Sequence, residues 1–306
     1  MLRPNNLQLK TIHRRRPTVN SSQRILVTGG SGYLGAALLR YLGASRPAYE
    51  IHATCFSNRL PLASPYAHPL DLCDEASVAQ VVRTVQPQLI IHTAAQMVGD
   101  LERLRRVNAQ GTEWLARHAN EIGARLIHLS TDVIFDGQKG NYNEQDTPHP
   151  ITPYGTSKAE AESLIEATGV QAAIVRTSLI YGLAPVDPRT RAVLDGAMPR
   201  LFTDELRCPI EVNNLCAALV ELSESGYTGI LHLAGPQALS RYEFGVKLVR
   251  ALGGDERQLI PLRSDESSLI RPKDCTLDCT RASQLLQTKL LGVDELVRWS
   301  NSRMVK

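Results

Sequence analysis

The sequence lacks an apolar run of about 18 residues, the length that a membrane-spanning helix needs, and it lacks the apolar core of a secretory signal. Its six cysteines are scattered, and no two of them form a Cys-x-x-Cys pair. Histidines, cysteines and carboxylates do not recur at metal-ligand spacing. We therefore expect no membrane span, no metal and a cytoplasmic location, with reduced thiols at Cys55, Cys73, Cys208, Cys216, Cys275 and Cys279.

Acidic residues are absent from the first 23 residues, which hold Arg3, Lys10, Arg14, Arg15 and Arg16. The whole chain has 34 basic and 31 acidic residues, so the rest of it holds 29 basic and 31 acidic residues. A body so close to neutrality does not favour nucleic acid as a partner. We interpret residues 1–22 as a disordered basic leader, with a transit-like segment as the alternative.

Residues 24–35 read RILVTGGSGYLG, an aliphatic run followed by a glycine-rich turn and the start of a helical pattern. Gly29 can turn the chain sharply, Gly32 lets the backbone approach a pyrophosphate, and Gly35 lets the helix pack on the strand. The free N–H groups and the dipole of the helix N-terminus suit a phosphate. The stretch therefore predicts a dinucleotide-binding loop.

Strand and helix patterns alternate through the first 180 residues, which predicts an α/β fold with a doubly wound, mostly parallel Rossmann sheet. The 306 residues allow this domain and a smaller C-terminal α/β substrate lobe. We assign 23–182 and about 210–235 to the dinucleotide-binding domain, and about 183–209 and 236–306 to the lobe. The strands are predicted at 24–28, 50–55, 89–93, 125–130, 172–177 and 229–233, and the helices at 34–43, 74–85, 101–122, 156–168 and 213–223.

Tyr154 and Lys158 follow the fourth predicted strand and lie one helical turn apart, on the same helix face. A lysine ammonium there favours the phenolate, so we expect it to lower the tyrosine pKa from about 10. Such a tyrosine can exchange a proton with an alcohol or carbonyl oxygen. Ser130 and Thr131, in LSTDVIFDG, end a predicted strand at the sheet edge where ligands bind, and a hydroxyl there can contact the reacting oxygen.

The ordered phrases TGGSGYLG, HTAAQ, VNAQGT, LSTDVIFDG and YGTSK resemble extended short-chain dehydrogenases/reductases. Within that superfamily the chain is most similar to dTDP-4-dehydrorhamnose reductases, and it also resembles the regulatory β subunit of methionine adenosyltransferase. The segment RPKDCTLD at 271–278 is typical of this branch. The phrase RTSLIYG at 176–182 departs from it, because the family usually has a tryptophan there.

The resemblance implies a catalytic triad of Thr131, Tyr154 and Lys158. Tyr154 would protonate the sugar C4 oxygen as hydride arrives, Lys158 would also hold the nicotinamide ribose, and Thr131 would bind the substrate oxygen. Ser130 and Asp132 would be substrate-binding neighbours. Asn108 would brace the active-site strands. Further cofactor contacts are implied along the pyrophosphate at Tyr33 and Leu34, beside the adenine at Asp71 and Leu72, and at the ribose and nicotinamide for Thr93, Ala94 and Ala95.

The end of the second predicted strand bears on the choice of cofactor, because an acidic residue there would repel a 2′-phosphate. This chain instead has Ser57, Asn58 and Arg59, which can donate hydrogen bonds or pair with a phosphate. We therefore predict NADP(H) rather than NAD(H). Arg207 is predicted either to clamp the diphosphate of a nucleotide-sugar or to form a structural ion pair. His92 and His128 are interpreted as packed polar side chains.

Three functions fit the sequence. The first is an NADP-dependent reductase of a 4-keto nucleotide-sugar, with dTDP-4-dehydro-L-rhamnose as the expected substrate and a homodimer compatible with the resemblance. The second is a nucleotide-sugar epimerase or dehydratase that retains its cofactor, for which Asp132 is the single acid/base carboxylate beside Thr131. The third is a non-catalytic, NADP-binding regulatory subunit. Net consumption of cofactor separates the first function from the other two.

Overall fold

Seven parallel strands form the central sheet of the protein, in the order β11-β6-β5-β4-β1-β2-β3. The structure is a computed structural model, and it describes residues 23–57 and 66–304. The strand order reverses between β1 and β4, which creates a crevice at the carboxyl ends of the strands. The strands of this sheet are β1 (Arg24–Thr28), β2 (Glu50–Cys55), β3 (Ala67–Pro69), β4 (Leu89–His92), β5 (Arg125–Thr131), β6 (Ala172–Thr177) and β11 (Gly229–His232).

Helices cover both faces of this sheet, which confirms the predicted doubly wound α/β fold. Neighbouring residues of β1 point to opposite faces: Ile25 and Val27 join one apolar cluster, and Leu26 joins the other. All three side chains are fully buried, as in other parallel sheets that are covered on both faces. On one face lie α1 (Tyr33–Ser45) and α7 (Val212–Ser225), and on the other lie α2 (Glu75–Val85), α4 (Gly111–Glu121) and α5 (Pro153–Thr168).

The predicted helix at 101–122 is interrupted in the structure. It consists of α3 (Leu101–Leu104), a π-helical stretch (Arg105–Gln110) and α4. The wider π turn carries Asn108, whose amide accepts a hydrogen bond from Gln96 N and donates to Gln96 O, each at 2.8 Å. The same amide donates to Ser157 Oγ at 3.0 Å, so it links the loop after β4 to α5.

The remaining elements form a smaller layer beside the carboxyl ends of the main strands. Three two-stranded pairs lie here, β7 with β10, β8 with β13, and antiparallel β9 with β12. These strands are β7 (Ile180–Tyr181), β8 (Arg200–Phe202), β9 (Leu206–Arg207), β10 (Ile210–Glu211), β12 (Leu239–Ser240) and β13 (Ile260–Leu262). The helices of this layer are α6 (Pro188–Leu194), α8 (Arg241–Ala251) and α10 (Val293–Met304), with 3₁₀ turns at Glu256–Gln258 and Ser264–Glu266. Outside this layer, α9 (Thr280–Leu285) packs against β11 and the apolar cluster of α1 and α7, and a 3₁₀ turn at Asp132–Ile134 follows β5.

No helix within residues 23–57 and 66–304 is both long and apolar enough to cross a membrane. The predicted leader at 1–22 lies outside the described residues. The division of the chain into a dinucleotide-binding domain and a substrate lobe remains a prediction.

Candidate active site

A cavity of about 630 Å³ opens at the carboxyl ends of the central strands and extends toward α6 and α8. Its lining is largely apolar, with a small number of convergent polar and charged groups, which is the composition of a small-molecule site. The predicted site residues that line it are Gly32, Tyr33, Leu34, Thr93, Ala95, Ser130, Thr131, Asp132, Tyr154 and Arg207.

The glycine-rich loop between β1 and α1 leaves no room for side chains. Gly29 has a φ of +70°, and a Cβ there would lie 2.7 Å from Ala94 Cα. A Cβ on Gly35 would overlap the carbonyl oxygen of Gly29. No side chain of the described residues caps the N-terminus of α1 at Gly32, so its first N–H groups remain available to an anion. The loop therefore fits the pyrophosphate of a dinucleotide.

Tyr33 connects this loop to the segment before α6. Its hydroxyl donates a hydrogen bond to Pro185 O at 2.9 Å, across 152 residues of sequence. Burial, followed by the charge of Asp187, raises the pKa of Tyr33, so this hydroxyl remains a donor. The contact places the predicted pyrophosphate loop directly beside the wall of the cavity.

Thr131 ends β5, and its hydroxyl donates weakly to Asp132 Oδ1 at 3.3 Å. Asp132 is buried, and its other carboxylate oxygen accepts a hydrogen bond from Ser178 Oγ at 2.6 Å. Arg207 Nε lies 3.6 Å from that oxygen. Burial raises the pKa of Asp132, and the charge of Arg207 opposes the rise. A hydroxyl and a buried carboxyl group thus stand together at the end of the strand.

Tyr154 lies in the first turn of α5, where the helix begins at a well-formed cap. Thr152 Oγ1 accepts a hydrogen bond from Gly155 N at 3.1 Å, and Pro153 occupies the first helical position. The expectation that lysine lowers the tyrosine pKa is wrong for this structure. Burial raises the pKa of Tyr154, and the charge of Asp132 raises it further. The phenol is therefore held in its protonated form.

Lys158 lies one turn after Tyr154 and is 1% exposed. Its Nζ atom lies within hydrogen-bond distance of His128 Nε2, at 2.9 Å. Burial lowers the pKa of Lys158 to about 7, against the opposing charge of Glu162. The lysine therefore lies behind the cavity wall in this structure and is held there by a histidine that the sequence suggested only as a packing residue.

A group of arginines and carboxylates forms the far wall of the cavity, and most of it was missed from the sequence. Arg207 donates to three backbone carbonyls, those of Leu206, Pro272 and Lys273, at 2.7–3.0 Å. Glu205 is fully buried and pairs with Arg271, which belongs to the RPKD segment. Nearly all the donors of Arg207 are thus occupied within the protein.

Two further arginines on this wall have fewer partners. Arg241 is 7% exposed, and its Nη1 atom has no hydrogen-bond partner in the described part of the chain. Burial lowers the pKa of Arg241 to about 9, and the charge of Arg189 is the next cause. The side chain of Arg189, at the start of α6, makes no ion pair with a described residue. No sequence signal marks either residue, because they lie 52 positions apart on separate helices.

None of the other predicted site residues that the structure describes lines this cavity. Thr54 on β2 accepts a hydrogen bond from Gly29 N at 3.2 Å, so the end of β2 lies beside the loop. Ser57 is exposed there, whereas Asn58 and Arg59 lie outside the described residues. The carboxylate of Asp71 accepts from Cys73 N at 2.8 Å, Leu72 is buried, and Ala94 packs against Gly29. Within the described ranges, no three histidines, cysteines or carboxylates are grouped to hold a metal ion.

The parallel sheet and the glycine-rich loop are those of an extended short-chain dehydrogenase/reductase, a class of NAD(P)-dependent oxidoreductases. The model of the RmlD substrate binding domain family matches residues 23–298. The chain belongs to this family.

Two relatives are similar to the chain along most of their length. The chain is 30% identical over 283 residues to a dTDP-4-dehydrorhamnose reductase of Aggregatibacter actinomycetemcomitans, covering 85% of this chain and 92% of the relative. It is 27% identical over 288 residues to the methionine adenosyltransferase 2 subunit beta of Xenopus laevis, covering 86% and 83% of the two chains.

Two solved structures match along nearly their whole length. The dTDP-4-dehydrorhamnose reductase of Bacillus anthracis in complex with NADP has a TM-score of 0.79 and 25% identity, over 92% of this chain and 99% of that chain. A hypothetical dTDP-4-dehydrorhamnose reductase of Sulfolobus tokodaii has a TM-score of 0.76 and 31% identity, over 89% and 99%.

Proposed function

We propose that the protein is an NADPH-dependent reductase of a 4-keto nucleotide-sugar, with dTDP-4-dehydro-L-rhamnose converted to dTDP-L-rhamnose. One observation carries the proposal: the glycine-rich loop, Thr131 and Tyr154 line a single cavity. A cofactor on the loop and a ketone beside Tyr154 would therefore share one enclosed space. The reductase from Aggregatibacter and the NADP complex from Bacillus anthracis support the reaction and the cofactor.

Tyr154 serves as the proton donor in this proposal. When bound, NADPH supplies the hydride that reduces the C4 carbonyl, and Tyr154 supplies the proton that completes the new hydroxyl group. A general acid must hold its proton until the transition state, and burial does this by raising the pKa of Tyr154. Thr131 would donate a second hydrogen bond to the same oxygen, and Ser130 and Asp132 would support it from the end of β5.

Lys158 would hold the nicotinamide ribose and stabilise the phenolate that remains on Tyr154 after proton transfer. Its burial makes this stabilisation strong, because a charge in a water-poor site is weakly screened. The low pKa of about 7 is consistent with a lysine whose anionic partner is created only during the reaction. Lys158 thus acts on the tyrosine in the product state more than in the resting state.

Arg241 and Arg189 would bind the diphosphate of the substrate. A nucleotide-sugar brings two negative charges into the cavity, and these arginines offer guanidinium groups that the protein itself leaves unpaired among the described residues. Arg207, for which the sequence left a diphosphate clamp or a structural ion pair open, would orient this wall through its backbone contacts and Asp132. The diphosphate would thus lie between α6 and α8.

The end of β2 favours the 2′-phosphate of NADPH. The strand ends at Cys55, and the next two residues, Phe56 and Ser57, are exposed and carry no acid. No carboxylate of this described segment would repel a phosphate. The structure bound to NADP agrees with this choice of cofactor. Asn58 and Arg59 remain the predicted phosphate ligands.

The direct experiment combines the purified protein, NADPH and enzymatically prepared dTDP-4-dehydro-L-rhamnose. We expect the NADPH absorbance to fall in proportion to dTDP-L-rhamnose formed, and we expect NADH to be the poorer donor. Tyr154→Phe should abolish turnover and retain NADPH binding. Binding of NADPH without consumption by wild-type protein would contradict the proposal.

A regulatory subunit is the second candidate, because several matches are methionine adenosyltransferase 2 subunits beta. Such a protein would bind NADP, consume none of it with nucleotide-sugars, and change the activity of a methionine adenosyltransferase. The presence of Thr131 and Tyr154 at the cavity, with Lys158 one helical turn after Tyr154, favours the reductase. Adding the protein to a methionine adenosyltransferase assay tests the alternative.

A further inference from the structure

His128 lies on β5, and its imidazole contacts the catalytic lysine of the proposed reductase. The residue is fully buried, and its Nε2 atom is 2.9 Å from Lys158 Nζ. Lys158 forms no ion pair within the described residues, since the neighbouring Glu162 is bound by Arg176 at 2.7 Å. His128 is therefore the side chain that contacts the Lys158 amino group in this structure.

The contact is one of two aligned links between β5 and α5. Ser130 donates to Glu162, two residues along the strand from His128 and four along the helix from Lys158. Two residues of a strand span about 6.6 Å, and four residues of a helix span about 6.0 Å. The two links are therefore in register, and together they fix the rotation of α5, which also carries Tyr154.

The hydrogen-bond roles of Lys158 and His128 define the tautomer of the histidine. A charged Lys158 can only donate, so His128 then presents a lone pair at Nε2 and carries its proton on Nδ1, which has no hydrogen-bond partner among the described residues. Burial, followed by the charge of Lys158, lowers the pKa of His128 well below its ordinary range, so the ring is neutral. A neutral acceptor favours the charged lysine without adding a competing charge.

The other buried histidine near this pair is neutral as well. Thr112 Oγ1 donates to Asn108 O at 2.6 Å, so it can only accept from His92 Nε2, at 2.9 Å. His92 Nδ1 then accepts from Thr28 Oγ1 at 2.6 Å. The titratable groups around Lys158 are thus neutral His128 from β5, neutral His92 from β4, and Tyr154 and Glu162 from its own helix, with Asp132 beyond Tyr154.

We propose that His128 is a positioning residue, whose neutral imidazole holds Lys158 as an oriented ammonium group before the cofactor binds. The proposal rests on the proposed function in assuming that Lys158 binds the nicotinamide ribose. A lysine without this acceptor would lose its proton more easily and would adopt other rotamers within the buried space. Cofactor affinity at neutral and alkaline pH therefore depends on a residue that does not line the cavity.

The test compares two replacements of similar size in full-length protein. His128→Gln keeps a neutral acceptor oxygen within reach of Lys158, whereas His128→Met removes it. NADPH affinity is measured by fluorescence between pH 6 and pH 10 (roughly the range around the lysine pKa), without substrate, so that the result does not depend on turnover. His232→Gln is the matched control, because His232 is also fully buried and neutral but contacts Tyr142 O instead.

We expect His128→Met to weaken NADPH binding on the order of tenfold at neutral pH, the effect of one hydrogen bond to a charged group. The loss of NADPH affinity at alkaline pH should begin at a lower pH in His128→Met than in the wild-type protein. In His128→Gln, both the affinity at neutral pH and the pH at which it is lost should be close to the wild-type values. Wild-type affinity in folded His128→Met, or equal defects in both variants, would overturn the proposal. If these changes in NADPH binding are found but the wild-type protein shows no turnover, the proposed reductase activity is wrong and the proposed role of His128 is not.

Imidazole ¹⁵N NMR of the wild-type protein tests the same proposal without any variant. We expect a His128 ring with its proton on Nδ1 and a lone pair on Nε2. A proton on Nε2 would overturn the proposal, because that nitrogen could not then accept from the ammonium group.

Discussion

Replacing Arg241 by methionine should stabilise the protein while weakening its binding of nucleoside diphosphates. Arg241 is 7% exposed, and its Nη1 atom has no hydrogen-bond partner among the residues that the structure describes. Burial and neighbouring arginines lower its pKa from 12.5 to about 9. At about 1.4 kcal/mol per pKa unit, the charged side chain destabilises the folded protein by an amount on the order of 5 kcal/mol at neutral pH.

The pKa of about 9 already includes the attraction between Arg241 and the buried carboxylate of Glu205, which the replacement removes together with the burial cost. Glu205 keeps Arg271 and Arg207 as partners, so its charge remains compensated. We therefore expect a net gain of about 1–2 kcal/mol, in line with other replacements of buried charges by apolar side chains. A gain of that size raises Tm by about 2–4 °C.

The same replacement should weaken dTDP binding, although it stabilises the folded protein. A hydrogen bond between charged groups contributes about 1.5–3 kcal/mol, so loss of Arg241 should weaken dTDP binding by about ten- to a hundredfold. Thermal unfolding and calorimetric titration of the NADPH-bound protein measure the two effects. Arg191→Met is the matched control, because Arg191 is exposed on the same helix as Arg189. A lower Tm with unchanged dTDP affinity would refute the reasoning, since it would make Arg241 a structural residue.

Three other predictions follow from the site. Gly35→Ala should abolish NADPH binding and lower Tm, because its Cβ would overlap the carbonyl oxygen of Gly29; near-normal NADPH affinity would contradict the fit of the loop. Asp132→Asn should lower the Tyr154 pKa, since the carboxylate is one cause of its rise, and the alkaline limb of turnover should then move to lower pH; an unchanged profile would exclude this coupling. Ser130→Ala should lower Tm by leaving Glu162 with fewer donors, and it should alter kcat less than Thr131→Ala; the reverse order in kcat would exchange the roles of the two hydroxyls.

Sequence periodicity predicted the central sheet well because its strands are continuous apolar runs that end in turn residues. The predicted limits of β1, β2 and β6 coincide with those in the structure, and β4, β5 and β11 differ by one residue. The three-residue strand β3 was missed, because it is too short to show a period. The π-helical stretch was also missed, since its residues keep a helical pattern and only the hydrogen-bond spacing changes.

The side of the site that α5 forms was predictable from the sequence, and the far wall of arginines and carboxylates was not. Tyr154 and Lys158 are four residues apart on one helix, so local spacing alone brings them together. Arg189 on α6, Glu205 just before β9 and Arg241 on α8 meet only after these elements have packed, and no local pattern links them. The direction of the Tyr154 pKa also depends on burial, which the neighbouring lysine in the sequence does not indicate.

The most direct measurement follows deuterium from stereospecifically deuterated NADPH into the sugar. We predict that wild-type protein forms dTDP-L-rhamnose with the label at C4, and that Tyr154→Phe binds the same cofactor and forms no product. Product without label at C4, or comparable product from Tyr154→Phe, would contradict hydride transfer from NADPH paired with a proton from Tyr154.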